Sequence, residues 1–154
     1  MLTFQPARAE QYAELMELMM QEGDYLQDTL RLMKMTKDEF DRLFRSVGQV
    51  YCVYDDALLA GFYWVEEREK TLHLHGLVLK AQFQGKGIGT RILEKLVSEY
   101  QGKMKEMELG VHESNLRAIA LYERSGFETV KTLADLKFRV MRRQVQSVEP
   151  LGRY

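Results

Sequence analysis

The run His73-Leu74-His75-Gly76-Leu77-Val78-Leu79-Lys80-Ala81-Gln82-Phe83-Gln84-Gly85-Lys86-Gly87-Ile88-Gly89-Thr90 decides how the rest of the chain is read. Thr71 to Leu79 alternates in polarity and is predicted as a strand. Glycines then stand at 85, 87 and 89. Beyond them Ile92, Leu93, Leu96 and Val97 recur at helical spacing, which predicts a helix ending near Gly102. A strand, a glycine loop and a helix in that order suit a phosphate. The first amides of a helix have no internal partner, and the helix dipole adds partial positive charge there. Gly85, Gly87 and Gly89 permit positive φ and close approach of an oxygen. A turn that merely joins two elements needs fewer glycines.

Two familiar phosphate loops do not fit. A Walker A loop needs a glycine five residues before the Gly-Lys pair and a Ser or Thr after it. Here Lys80 and Gly87 occupy those places. The dinucleotide fingerprint needs glycine at its first, third and sixth positions. Counting from Gly85, the sixth is Thr90.

Working outward, Thr3-Phe4-Gln5 is a short strand before Pro6. Tyr12, Leu15, Met16 and Met19 mark one face of a helix. Tyr25 to Lys34 is ambiguous between helix and loop. Thr36-Lys37-Asp38-Glu39 fits a capping box, in which the hydroxyl takes the third amide and the carboxylate reaches back. Phe40, Leu43, Phe44 and Val47 continue that helix to Gly48. Val50 to Tyr54 and Leu58 to Val65 form a hairpin about Asp55-Asp56. Glu66 to Lys70 reads as a solvated connection. After the loop helix, Met107 to Val111 is a strand and Ser114-Asn115 opens a further helix that Gly126 ends. Phe127 to Thr132 and Leu136 to Met141 make a last strand pair, and the tail from Gln144 is polar and loosely held. This order predicts a mixed α+β domain around one sheet, spanning residues 1–154 as a single unit.

Composition narrows the class. The chain has 154 residues, 45% hydrophobic and 29% charged, which is enough for a core without staples. Basic residues number 22 and acidic residues 23, so the general basic footprint of a nucleic-acid binder is missing. One cysteine, Cys52, excludes a disulfide within the chain and a cysteine-based zinc site. The N-terminus lacks a signal-peptide pattern and no apolar run is long enough for a membrane span. A cytoplasmic protein without nucleic-acid or membrane partners is expected.

Gln84-x-x-Gly87-x-Gly89, closing a strand and opening a helix, resembles the coenzyme A pyrophosphate loop of the GNAT superfamily of N-acetyltransferases. Asn115-Leu116-Arg117-Ala118-Ile119-Ala120-Leu121-Tyr122-Glu123-Arg124-Ser125-Gly126-Phe127 is similar to the Asn…Ala…Leu-Tyr…Gly-Phe signature of that family. The resemblance implies a GNAT-like mixed, mostly antiparallel sheet of six to seven strands with about four flanking helices. It also implies acetyl-CoA as acyl donor and transfer to a primary amine by direct attack in a ternary complex. It places the coenzyme on Leu77, Val78 and Leu79, whose backbone pairs with the pantetheine as an added strand would. It places the pyrophosphate on Gln84, Gly85, Lys86, Gly87, Ile88, Gly89 and Thr90, and a cofactor contact at Asn115. Tyr122 is then the residue that protonates the departing thiolate. A tyrosine keeps its proton to a pKa of about 10, above that of a thiol at about 8.5. Without this context an aromatic on a helix face reads as core.

His73 and His75 alternate on one strand and project to one face. His73-Leu74-His75-Gly76-Leu77-Val78 resembles the His-Leu-His-Ala-Leu-Ala of arylalkylamine N-acetyltransferases, where the two histidines relay the amine proton. A structural pair, or a pair that shapes the acceptor pocket, is the other reading. A third ligand cannot be placed beside them, so no metal is expected. The ribosomal-protein branch carries a Glu five residues before its Asn, where this chain has Gly110. A small-molecule amine is therefore the expected acceptor. A protein or peptide acetyltransferase and a non-catalytic acyl-CoA-binding regulatory module are the alternatives. Glu22, Asp24, Tyr25 and Asp28 read as a solvated helix end or as acceptor-side residues suited to a cation. Met16, Met19, Met20, Met33 and Met35 read as core or as pocket lining. His112 and Glu113 read as exposed polar residues. Self-association into a homodimer is common in that family.

Overall fold

A computed structural model describes residues 1–22 and 25–145. The strands are β1 (Leu2–Pro6), β2 (Gln49–Asp55), β3 (Leu58–Arg68), β4 (Thr71–Leu79), β5 (Glu106–His112), β6 (Glu128–Leu133) and β7 (Phe138–Gln144). The helices are α1 (Tyr12–Gln21), α2 (Tyr25–Met33), α3 (Lys37–Ser46), α4 (Ile88–Tyr100) and α5 (Leu116–Arg124). The seven strands form one sheet in the order β1-β2-β3-β4-β5-β7-β6. Every neighbouring pair is antiparallel except β4 and β5, which run parallel. This is the expected mixed sheet. The ambiguous stretch from Tyr25 is helical and adds a fifth helix. The expectation for Asp24 and for the tail beyond Val145 lies outside the described residues.

Local chemistry explains the boundaries. Thr36 Oγ1 accepts from Glu39 N at 3.1 Å, and Thr36 N donates to Glu39 Oε1 at 3.0 Å. The capping box that starts α3 is thus formed on both sides. Pro6 ends β1, an edge strand, where a missing N–H removes no ladder bond. One boundary differs from the sequence reading. Glu66 and Arg68 are not in a solvated connection: they belong to β3, opposite His73 and Thr71. Only Glu69 and Lys70 turn, and Glu69 adopts φ 53°.

Helices α4 and α5 cover one face of the sheet, over Tyr63, Val65, Leu72, Leu74, Met107 and Leu109. Helices α1 to α3 cover the other, over Cys52, Phe62, Trp64 and Val78. On that second face Phe44 packs edge-on against Trp64, and the indole N–H donates to Val47 O at 2.7 Å. No helix among the described residues is long and apolar enough to cross a membrane.

The feature that creates the site is a β-bulge. Val65 faces Leu74, but the next residue back, Trp64, faces Gly76. His75 is therefore an extra residue in β4, and a bulge bends its strand and ends regular pairing. Before it, Leu72 and Leu74 point toward α4; after it, Leu77 and Leu79 do. On its far side β4 pairs with β5 only from Thr71↔Glu106 to Leu74↔Leu109. Beyond that the two parallel strands part, while β5 stays paired with β7 as far as His112↔Phe138.

Candidate active site

The parting of β4 and β5 opens a cavity of about 690 Å³ that is lined from both faces of the sheet. Gly89, Ala118, Leu121 and Tyr122 line it from the α4 and α5 side. Met33, Phe40, Trp64, His73 and His75 line it from the other. Leu77, Val78 and Leu79 form its edge, and no strand among the described residues pairs with their outward backbone.

At one end stands the glycine loop. Gly85 and Gly87 have φ 74° and 81°, and a Cβ at either would meet open space. These glycines answer to backbone conformation and keep the approach to the helix end clear. The first main-chain bond of α4 runs from Arg91 N to Gly87 O at 3.1 Å, so the preceding amides at the helix start remain available. Gly89 has another reason to be small, since a Cβ there would lie 2.9 Å from Leu121 Cδ2. It lets α4 and α5 close together beside the cavity. Gln84 turns inward. Its amide nitrogen donates to Leu79 O at 2.9 Å and to Glu22 at 3.2 Å, and its carbonyl accepts from Arg117. Asn115 caps α5, its Oδ1 accepting from Ala118 N at 3.2 Å.

Tyr122 is buried on the cavity wall, its ring edge-on to Phe127 at 5.6 Å. Burial alone pushes its phenol above the usual value, so it stays protonated through the neutral range. His73 and His75 do share a face, with ring centroids 4.5 Å apart. His75 stacks on Trp64 at 4.4 Å and its Nε2 donates to Glu66 Oε1 at 2.8 Å. Burial lowers the His75 pKa, and the bond to Glu66 partly offsets that. His73 is lowered to about 4, first by burial and then by His75 and Arg68, with Glu108 and Glu66 opposing. Both rings are thus held neutral at physiological pH.

An unpaired strand edge, an amide-rich glycine loop and a cavity joining them fit the extended, pyrophosphate-bearing shape of coenzyme A. A sequence model of the acetyltransferase (GNAT) family matches residues 12–127. The chain belongs to that family. Its fold is similar to that of the ribosomal-protein-S18-alanine N-acetyltransferase from Escherichia coli, with a TM-score of 0.74 at 17% identity over 98% of each chain. It is also similar to PaiA N-acetyltransferase from Thermoplasma acidophilum in complex with coenzyme A. That match has a TM-score of 0.74 at 18% identity over 94% of this chain and 99% of that one. The spermidine N-acetyltransferase from Vibrio cholerae in complex with CoA and spermine gives a TM-score of 0.67 at 16% identity. It covers 93% of this chain and 95% of that one.

In GNAT terms, the fold gathers most of the sequence-predicted residues around one cavity. His73, His75, Leu77, Val78, Leu79, Gln84, Gly89, Asn115 and Tyr122 all line it. Gly85, Lys86 and Gly87 are exposed in the adjoining loop, and Ile88 is buried beneath it. Thr90 faces a separate groove with Leu93 and Val97. Glu22, Asp28 and Met33 line the cavity, whereas Met16 and Met19 are core. His112 lines it as well, with its Nδ1 2.7 Å from Ser114 Oγ and 3.8 Å from Asp28 Oδ2. Sequence reading passed over Trp64, Arg68, Glu108, Arg117 and Phe138, and left Glu66 as a surface charge. The alternation of β5 would have put Glu108 on the face of His112, but only the β4–β5 register sets it beside His73.

Proposed function

We propose that this chain is an acetyl-CoA-dependent N-acetyltransferase that acetylates a small primary amine by direct attack in a ternary complex. The observation that carries this reading is the cavity itself. It joins the glycine loop, across the parted strands, to a pair of neutral histidines. Leu77, Val78 and Leu79 hold the pantetheine, and the main chain of Gln84, Gly85, Lys86, Gly87, Ile88, Gly89 and Thr90 holds the pyrophosphate. Asn115 contacts the coenzyme from the start of α5.

Bound acetyl-CoA supplies the activated acetyl thioester. The chain must supply three further things. The acceptor arrives as an ammonium and must lose a proton, which His73 or His75 takes on a ring nitrogen. The backbone amide near Val78 donates to the oxygen on which charge develops. Tyr122 holds at its hydroxyl the proton that a thiolate leaving group requires. One proton goes to solvent for each amide formed.

The side chains that wall the acceptor side support a small molecule. Asp28 on α2 approaches His112 on β5, and Leu133 and Phe138 from β6 and β7 also wall the cavity. The solved structures named above include an enzyme for a protein alanine and one for spermidine, so fold likeness favours neither acceptor.

Thiol release from acetyl-CoA tests the reading against arylalkylamines, polyamines, aminoglycosides, amino acids and lysine peptides. Turnover with one amine class is expected, falling at least about a hundredfold in Tyr122→Phe. It is also expected to fail in the His73→Ala, His75→Ala double variant. Coenzyme binding by calorimetry without turnover of any amine would overturn it in favour of an acyl-CoA-binding module. Turnover of lysine peptides alone would move the acceptor to protein.

A further inference from the structure

The histidine pair is flanked by two carboxylates, and each is clamped by an arginine. Glu66 accepts from His75 at 2.8 Å and lies 2.8 Å from Arg68 Nη2. The second unit is incomplete. His73 Nδ1 is buried without a hydrogen-bond partner among the described residues and lies 3.9 Å from Glu108 Oε1. The other oxygen of Glu108 accepts from Arg142 Nη2 at 2.6 Å and from Nε at 3.1 Å. Arg142 is anchored in turn by Glu106 at 3.3 Å. These positions follow from the sheet: His73 sits opposite Glu108, and Glu108 opposite Arg142.

We propose that Glu108 is the positioning residue of the amine-deprotonating base, and that His73 is that base. This rests on the acetyltransferase reading above. A buried imidazole nitrogen facing a carboxylate carries its proton on that nitrogen. Nδ1–H then points at Glu108, and the lone pair is on Nε2 of a ring that lines the cavity. A proton taken from the acceptor ammonium onto Nε2 makes an imidazolium. Its Nδ1–H closes on Glu108 by a carboxylate swing of about 1 Å to hydrogen-bond distance. Glu108 remains ionised, and the amine nitrogen keeps the electron pair with which it attacks. Among the described residues the charged and titratable groups facing His73 are His75 on its own strand, Glu66 and Arg68 on β3, and Glu108 on β5. Burial, His75 and Arg68 oppose the imidazolium; the two carboxylates support it. Arg142 holds the Glu108 carboxylate in place from β7. An exposed cross-strand pair would serve the sheet alone, but Glu108 lines the cavity.

Two readouts test this, one independent of turnover. Ring-nitrogen NMR of His-labelled protein near pH 7.5 is expected to show His73 as the Nδ1–H tautomer. Its pKa is expected to fall further in Glu108→Gln. An Nε2–H tautomer in the native protein would overturn the proposal even if the chain acetylates an amine. The same spectra stand if no amine is turned over. In kinetics, Glu108→Gln is expected to lower kcat at least about tenfold with coenzyme affinity unchanged. The acidic limb of kcat/KM should move to lower pH, and Glu108→Asp should restore part of the rate. Adding Glu108→Gln to His73→Gln should cost little more than His73→Gln alone, because the two act as a unit. A uniform loss with the limb unmoved, or losses that multiply, would make Glu108 a strand-pairing residue only.

Discussion

Burying a neutral histidine has a cost that acid exposes, and His73 allows its size to be worked out. Its pKa falls from 6.5 to about 4 on folding, chiefly because the ring is desolvated. Between those values the unfolded chain binds a proton that the folded chain refuses. Stability therefore rises with pH across this window, and it is lost as pH falls from 6.5 toward 4. The whole interval corresponds to about 3 kcal/mol, of which about 2 kcal/mol is gone by pH 5. His75 shifts in the same direction and steepens the slope. The perturbation is His73→Gln, a neutral amide of similar size. The assay is urea unfolding of both proteins at pH 7.5 and pH 5. For an m-value of about 2 kcal/mol per molar, the native midpoint should drop by about 1 M more than that of the variant. Carboxylates that titrate in the same range are common to both proteins and largely cancel. An equal midpoint difference at the two pH values would refute the reasoning, because it would mean that folding leaves His73 free to titrate as it does in water.

Four further outcomes follow from local geometry. Gly61→Ala places a Cβ 2.1 Å from the Val78 carbonyl oxygen, so β3 must move off β4. We expect a loss of about 2 kcal/mol or more, seen as a melting temperature lower by at least about 5 °C in calorimetry. Gly87→Ala meets no atom but must hold φ 81°, and should lose about 1 kcal/mol by urea titration. Gly89→Ala has an ordinary helical backbone and meets only the movable end of Leu121, so it should lose less than Gly87→Ala. Thr36→Ala removes the cap of α3 and should cost about 1 kcal/mol in the same titration.

What could be read in advance was local. The strand, glycine loop and helix from Thr71 to Tyr100 carry their signal in consecutive residues, and the fold forms them in place. The capping box at Thr36 is equally local and is made as read. Tyr25 to Lys34 is ambiguous in sequence because the face of Leu26, Leu30 and Met33 is completed by distant residues, among them Leu15, Leu18, Phe40 and Trp64. Glu66 looked like one of several charges in a polar run. It becomes a histidine partner only because β3 extends to Arg68 and sets Glu66 opposite His73. Arg117 meets Gln84 across 33 residues of chain, and Arg142 meets Glu108 across 34. Contacts of that span depend on register, and register depends on the whole sheet.

The bulge at His75 links fold and chemistry most directly. With strict alternation, Gly76 and Val78 would share a face with Leu72 and Leu74, under α4. The extra residue reverses that parity, so His75, Gly76 and Val78 lie on the Trp64 side while Leu77 and Leu79 turn back under α4. Neither half of the strand then buries a mismatched side chain. The same excess bends β4 away from β5 just after Leu74, which frees the backbone edge at Leu77, Val78 and Leu79. One residue therefore opens the sheet, exposes the edge and seats an imidazole between Trp64 and His73. A sheet that stayed paired to its end would leave no opening between the glycine loop on one face and the histidines on the other.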